Sequence, residues 1–135
     1  MNRHRARATA STLLAVAAGF QASLAVGAPW GVASFGGGHP GVLPMSLRGA
    51  SAAAAVVYAG LAQVVWSGRL PARVQRPGYA ILAGTFAVGT AMNAVSPSVV
   101  EKLIWTPVVG LLAYSLWQAR PASEPDVAAA PVGPA

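Results

Sequence analysis

Apolar residues run along this chain in long unbroken blocks, not in the alternation of a half-exposed strand or the single stripe of a surface helix. A helix needs about 20 apolar residues to cross a hydrocarbon core at about 1.5 Å per residue. Blocks of that order cover residues 8–28, 49–66, 79–95 and 99–119. The first sets Leu13, Leu14, Val16, Phe20, Leu24 and Val26 in an Ala-rich background with Gln21. Val56, Val57, Tyr58, Leu61, Val64 and Val65 carry the second, the third is rich in Gly and Ala, and Leu103, Ile104, Val108, Val109, Leu111, Leu112 and Leu116 carry the fourth. In lipid each backbone group must bond within its own segment, and the alternation of a barrel strand is missing. The pattern therefore predicts an all-α, integral membrane fold: four transmembrane helices in an up-down bundle.

Composition strengthens this reading. Of 135 residues, 55% are hydrophobic and 9% are charged, and the mean hydropathy is +0.55. A soluble domain spends about 25% of its residues on charge. Here residues 8–47, 49–68, 77–100 and 103–119 hold none. A soluble enzyme and a disordered chain are excluded, and the absence of cysteine excludes a disulfide scaffold. Arg3, Arg5 and Arg7 ahead of an apolar run also resemble a secretory signal peptide. That run is longer than the about 7–15 residues of such a segment, and Pro29 would follow the small-residue site at Gly27–Ala28 directly. The first block is expected to be a retained helix.

Charge then sets orientation. Alternating spans put the basic start (residues 1–7), residues 67–78 and the tail on one side, with Arg3, Arg5, Arg7, Arg69, Arg73, Arg76 and Arg120. The other side has only Arg48 and Lys102. By the positive-inside rule both termini are cytoplasmic, in a bacterial inner membrane. Trp30 and Trp105 then fall at the outer interface, Trp66 and Trp117 at the inner one, as anchoring rings should. The sequence pI near 11.3 belongs to this asymmetry and to headgroup contact. No aromatic interleaving accompanies the basic run, so a nucleic-acid partner is not expected.

The connections differ in character. Residues 29–47 form the longest, rich in Gly and Pro, and its apolar residues suggest a loop lying on the helix ends. Residues 67–78 read as a short loop broken by Pro71 and Pro77, and residues 120–135 as a disordered tail. Ser98 and Glu101 have capping-box spacing at the start of the fourth helix, and Pro107 predicts a kink within it. Small residues on the second span (Gly49, Ser51, Ala53, Ala55, Ala59, Gly60) and third span (Ala80, Gly84, Gly89) are expected at helix contacts.

Few residues could carry chemistry. Gln21, Gln63, Thr85, Thr90 and Asn93 are the candidates among the polar groups within the spans, and such groups mark sites or interhelical bonds. Glu101 is the sole acid before residue 124. It reads as a helix cap paired with Arg48, or alternatively as a cation- or proton-binding carboxylate. Gln21, His39, Arg48, Asn93 and Glu101 together form the candidate external polar cluster. His39 in its Gly/Pro loop reads as solvated, with a pH-sensitive group as the alternative. With two His and no Cys, no metal cluster is expected, nor any catalytic or cofactor-binding set.

Gly27-Ala28-Pro29-Trp30-Gly31, Gly36-Gly37-Gly38-His39, Leu43-Pro44, Arg48 and Tyr58 form one set of motifs; Met92-Asn93, Ser96, Ser98, Glu101 and Pro107-Val108 form a second. Together these resemble an uncharacterised family of small bacterial four-helix integral membrane proteins over residues 10–119. Gly38 departs from the commoner family pattern, which carries Gln more often than Gly there. The resemblance implies the architecture and no reaction. The expected function is thus a non-enzymatic membrane component, an accessory or scaffold subunit whose partners are the bilayer and a second copy or another membrane protein. The alternative is a small oligomeric transporter or channel with an external polar site around Glu101, Arg48 and Asn93.

Overall fold

A computed structural model describes residues 1–122. It is all-helical: α1 spans Arg3–Ala25, α2 Met45–Ser67, α3 Ala72–Ala94 and α4 Val99–Ala119. Neighbours run antiparallel. α1 and α4 pack together at the centre, with α2 against α1 and α3 against α4. Three helices, α1, α2 and α4, are long and apolar enough to cross a membrane. α3 matches them in length, but its Gly, Thr, Asn and Arg content leaves it less apolar. Residues 123–135, most of the expected tail, lie outside the described residues.

The helices begin where local capping dictates. Asn2 accepts the Arg5 N–H at 2.9 Å, so α1 opens at Arg3 and takes in the basic run expected to lie outside it. Pro44 and Pro71 hold the extended N-cap positions of α2 and α3. α2 therefore begins at Met45 and α3 at Ala72, earlier than the hydropathy blocks at 49 and 79 suggest. The expected break at Pro77 does not occur: this proline lies inside α3 near its start. There it forfeits one bond, to the Arg73 carbonyl, which the helix tolerates. Only residues 68–71 connect α2 to α3. α1 ends at Ala25, short of 28.

The ends of α1 and α2 find partners for most of their free carbonyls. In α1 the last four are taken by Val26, Ala28 and Gly27 N–H groups and, at Ala25, by Arg48 Nε at 2.9 Å. At the end of α2 the Gly68 N–H takes Val64. Arg7 takes Val65 at 3.1 Å and Trp66 at 2.5 Å. The Gln75 amide, buried with its residue, takes the Gly68 and Leu70 carbonyls beyond.

The core fills the end of the bundle that holds the N-terminus. Ala6, Ala10 and Leu14 of α1 meet Ala62 and Val65 of α2, Tyr79 and Ala83 of α3, and Leu112, Leu116 and Ala119 of α4. Close approach runs through α1, whose Ala6, Ala10, Leu14 and Ala18 are buried four residues apart in turn. Within it the Ser11 hydroxyl donates to the Ala62 carbonyl at 2.8 Å. The small residues expected at contacts on α2 mostly face outward: Gly49, Ala53, Ala59 and Gly60 are exposed, while Ser51 is buried. On α3, Gly84 is exposed and Gly89 sits against Val109. The outer face is strongly apolar, with Val56, Val57, Ile81, Val88, Leu103 and Leu111 exposed.

Candidate functional site

At the opposite end the four helices part around a cavity of about 140 Å³. The long α1–α2 loop closes over it. Two short 3-10 turns, Gly31–Ala33 and Phe35–Gly37, fold the loop back onto the start of α4. Gly31 lies so close to the returning strand that a Cβ there would collide with the His39 carbonyl oxygen. The Gly31 N–H donates to the Gly41 carbonyl at 3.0 Å, which holds the loop's two arms together. Phe35, Gly36 and Gly37 follow at φ of 50°, 72° and 73°, a left-handed run. Gly37 is required twice over, since a Cβ there would stand 2.7 Å from the Ser98 Cβ.

Three side chains of α4 and its cap grip this loop. The Ser98 hydroxyl donates to the Val32 carbonyl at 2.5 Å, and its oxygen accepts the Glu101 N–H at 3.2 Å. Trp105 Nε1 donates to the Ala33 carbonyl at 2.9 Å. Glu101 Oε2 accepts the Gly36 N–H at 3.0 Å and the Ser96 hydroxyl. The Ser96 oxygen in turn accepts the Ser98 N–H at 3.2 Å. The expected capping box thus forms with Ser96 as an intermediary: Ser98 caps Glu101 directly, and Glu101 reaches back through Ser96.

The expected polar cluster divides in two. Gln21, Asn93 and Glu101 all line the cavity. Arg48 does not pair with Glu101, because its guanidinium is turned to the Ala25 carbonyl at the end of α1. His39 lies exposed on the loop. Of the other polar candidates, Gln63 is exposed. Thr85 and Thr90 bond to the carbonyls of Ile81 and Phe86 on their own helix. Among the described residues no group of His, Asp and Glu could hold a metal ion.

Aromatic rings make up much of the cavity wall, a feature hydropathy alone does not signal. Phe20 of α1 lies 4.7 Å from Trp105 of α4, ring centre to ring centre, at 57°. Tyr58 of α2 lies 6.2 Å from Phe86 of α3 at 47°. All four rings line the cavity. Of the four tryptophans only Trp105 is drawn inward; Trp30, Trp66 and Trp117 are about half exposed. Gln21 adds a buried carbonyl oxygen with no hydrogen-bond partner among the described residues. Chemically the site offers aromatic rings and oxygen acceptors, with Glu101 its one charged residue among the described lining. Comparison with family models, with curated proteins and with solved structures gives no match.

Proposed function

We propose that this chain is a non-enzymatic component of a bacterial cytoplasmic membrane, with four spans, both termini inside and a recognition site at its external, loop-capped end. The observation that carries the reading is the clamp of Ser98, Glu101 and Trp105 on the loop, which holds a roofed cavity in place. Such a site is suited to binding a ligand or partner. The apolar outer face of the bundle favours a lipid surround. Four spans are favoured over three because α3 packs antiparallel along α4, and residues 77–100 hold no charge. The inward orientation of the termini rests on the cation asymmetry. The first helix reads as retained, since Ala6, Ala10 and Leu14 belong to the core.

The chain has no cysteine, so single-cysteine variants give a clean test in intact cells. A membrane-impermeant maleimide should label Gly38→Cys and Lys102→Cys directly, and Arg69→Cys and Ala122→Cys only after permeabilisation. Labelling of Ala122→Cys from outside, with Lys102→Cys protected, would overturn four spans in favour of three.

The transporter reading keeps one specific support: the cavity is lined from all four helices. Its polar site would be Glu101, Asn93 and Gln21, without Arg48.

A further inference from the structure

We infer that the loop-end cavity takes a small organic monocation, a primary or quaternary ammonium of about benzene's bulk. The inference deepens the proposed recognition site and rests on it. Size comes first. A cavity of about 150 Å³ holds one benzene-sized molecule, and this one measures about 140 Å³. Inorganic ions are too small to fill it.

Charge comes next. Glu101 lines the cavity, and both hydrogen bonds to its carboxylate fall on Oε2. Oε1 accepts none among the described residues. Lys102, next to Glu101 in the chain, does not line the cavity; Arg48 is committed to the Ala25 carbonyl, and no Lys or Arg is among the described lining residues. The carboxylate therefore stands at the cavity without a counter-ion. An ion left so in a partly buried place is compensated best by a ligand of opposite sign.

The walls have the matching character. Phe20, Trp105, Tyr58 and Phe86 line the cavity from four different helices, as two tilted ring pairs. Aromatic faces attract desolvated ammonium groups, and quaternary ammonium ligands are recognised by such rings. An anionic ligand would meet Glu101 and the ring faces, both unfavourable. A neutral apolar ligand would fit the walls and leave the carboxylate uncompensated.

The test uses full-length protein in nanodiscs, titrated with choline, tetramethylammonium and benzylamine, and with 3,3-dimethylbutan-1-ol as choline's neutral isostere. Glu101→Gln is the informative variant. Glutamine suits the same capping position and can still accept from Gly36 and Ser96, so only the charge is lost. At least one ammonium should bind tenfold or more tighter than the neutral isostere. Glu101→Gln should erase that preference while still unfolding in one cooperative transition, and Phe86→Leu should weaken the ammonium several-fold. Equal binding of choline and its isostere, unaffected by Glu101→Gln, would overturn the cation assignment and leave the recognition site standing. Binding of none of the four probes would overturn both.

Discussion

Arg7 and Arg48 do the same work at opposite ends of one hairpin. Arg7, near the start of α1, donates to the Val65 and Trp66 carbonyls in the last turn of α2. Arg48, near the start of α2, donates to the Ala25 carbonyl that ends α1. A cation near its own helix N-terminus is poorly placed against that helix's dipole. Antiparallel packing sets it beside the negative end of the neighbour instead, where it is favoured. Each arginine thus converts a local misfit into a latch between helices, and neither latch exists in an isolated helix.

The Arg7 latch predicts non-additivity. Removing a charged donor from carbonyls of this kind costs about 1.5–3 kcal/mol, so Arg7→Ala should lower the unfolding midpoint in detergent clearly. Gly68 has φ of 55°, and a Cβ there would collide with the Arg7 guanidinium. Gly68→Ala should therefore destabilise by displacing the same latch. In the double variant the two losses should fall well short of their sum, read as a coupling in a thermal double-mutant cycle. Simple additivity would mean that Arg7 holds α2 in no meaningful way.

The clamp on the loop predicts a local opening. Trp105→Phe keeps a ring against Phe20 but removes the donor to the Ala33 carbonyl. Ser98→Ala removes the helix cap and the bond to the Val32 carbonyl together. Loss of an N-cap alone costs about 1 kcal/mol. Both variants should speed amide exchange and proteolysis within residues 29–44, Ser98→Ala the more, while exchange in the core around Leu14 and Leu116 stays as it was. Uniform acceleration through all four helices would show that the loop and bundle unfold as one unit.

These residues also show how far the sequence reaches. The helical class was legible because long apolar blocks leave lipid-soluble backbone no other choice. Gln21, Asn93 and Glu101 could be singled out because a polar group is rare in such blocks. Their meeting in one cavity was not legible, since it depends on α1 and α4 packing centrally. Arg48 was misassigned for a related reason. Charge complementarity pointed it at Glu101, whereas the fold offers it a helix end at 2.9 Å. Helices α2 and α3 begin before their apolar blocks because hydropathy marks where a segment becomes apolar, whereas Pro44 and Pro71 at the caps mark where it becomes helical. The inward turn of Trp105 had no signal in composition, because an interface ring and a cavity wall use the same side chain.

Buried hydroxyls offer a sharper test of the packing. Ser11 is buried and donates to the Ala62 carbonyl at 2.8 Å, stitching α1 to α2. Ser115 is fully buried in α4, and its hydroxyl has no partner among the described residues. An interhelical bond in a membrane bundle is worth about 0.6 kcal/mol on average and reaches about 1.7 kcal/mol. An unsatisfied buried hydroxyl contributes nothing comparable and carries a desolvation cost. Ser11→Ala should therefore lower the unfolding midpoint, whereas Ser115→Ala, which removes a similar volume, should leave it unchanged or raise it. The two substitutions are chemically identical and lie in the two central helices, so bulk hydrophobicity predicts the same effect for both. Only the hydrogen-bond geometry separates them. Equal shifts in midpoint would mean that the α1–α2 register, which places Ser11 against Ala62, is wrong.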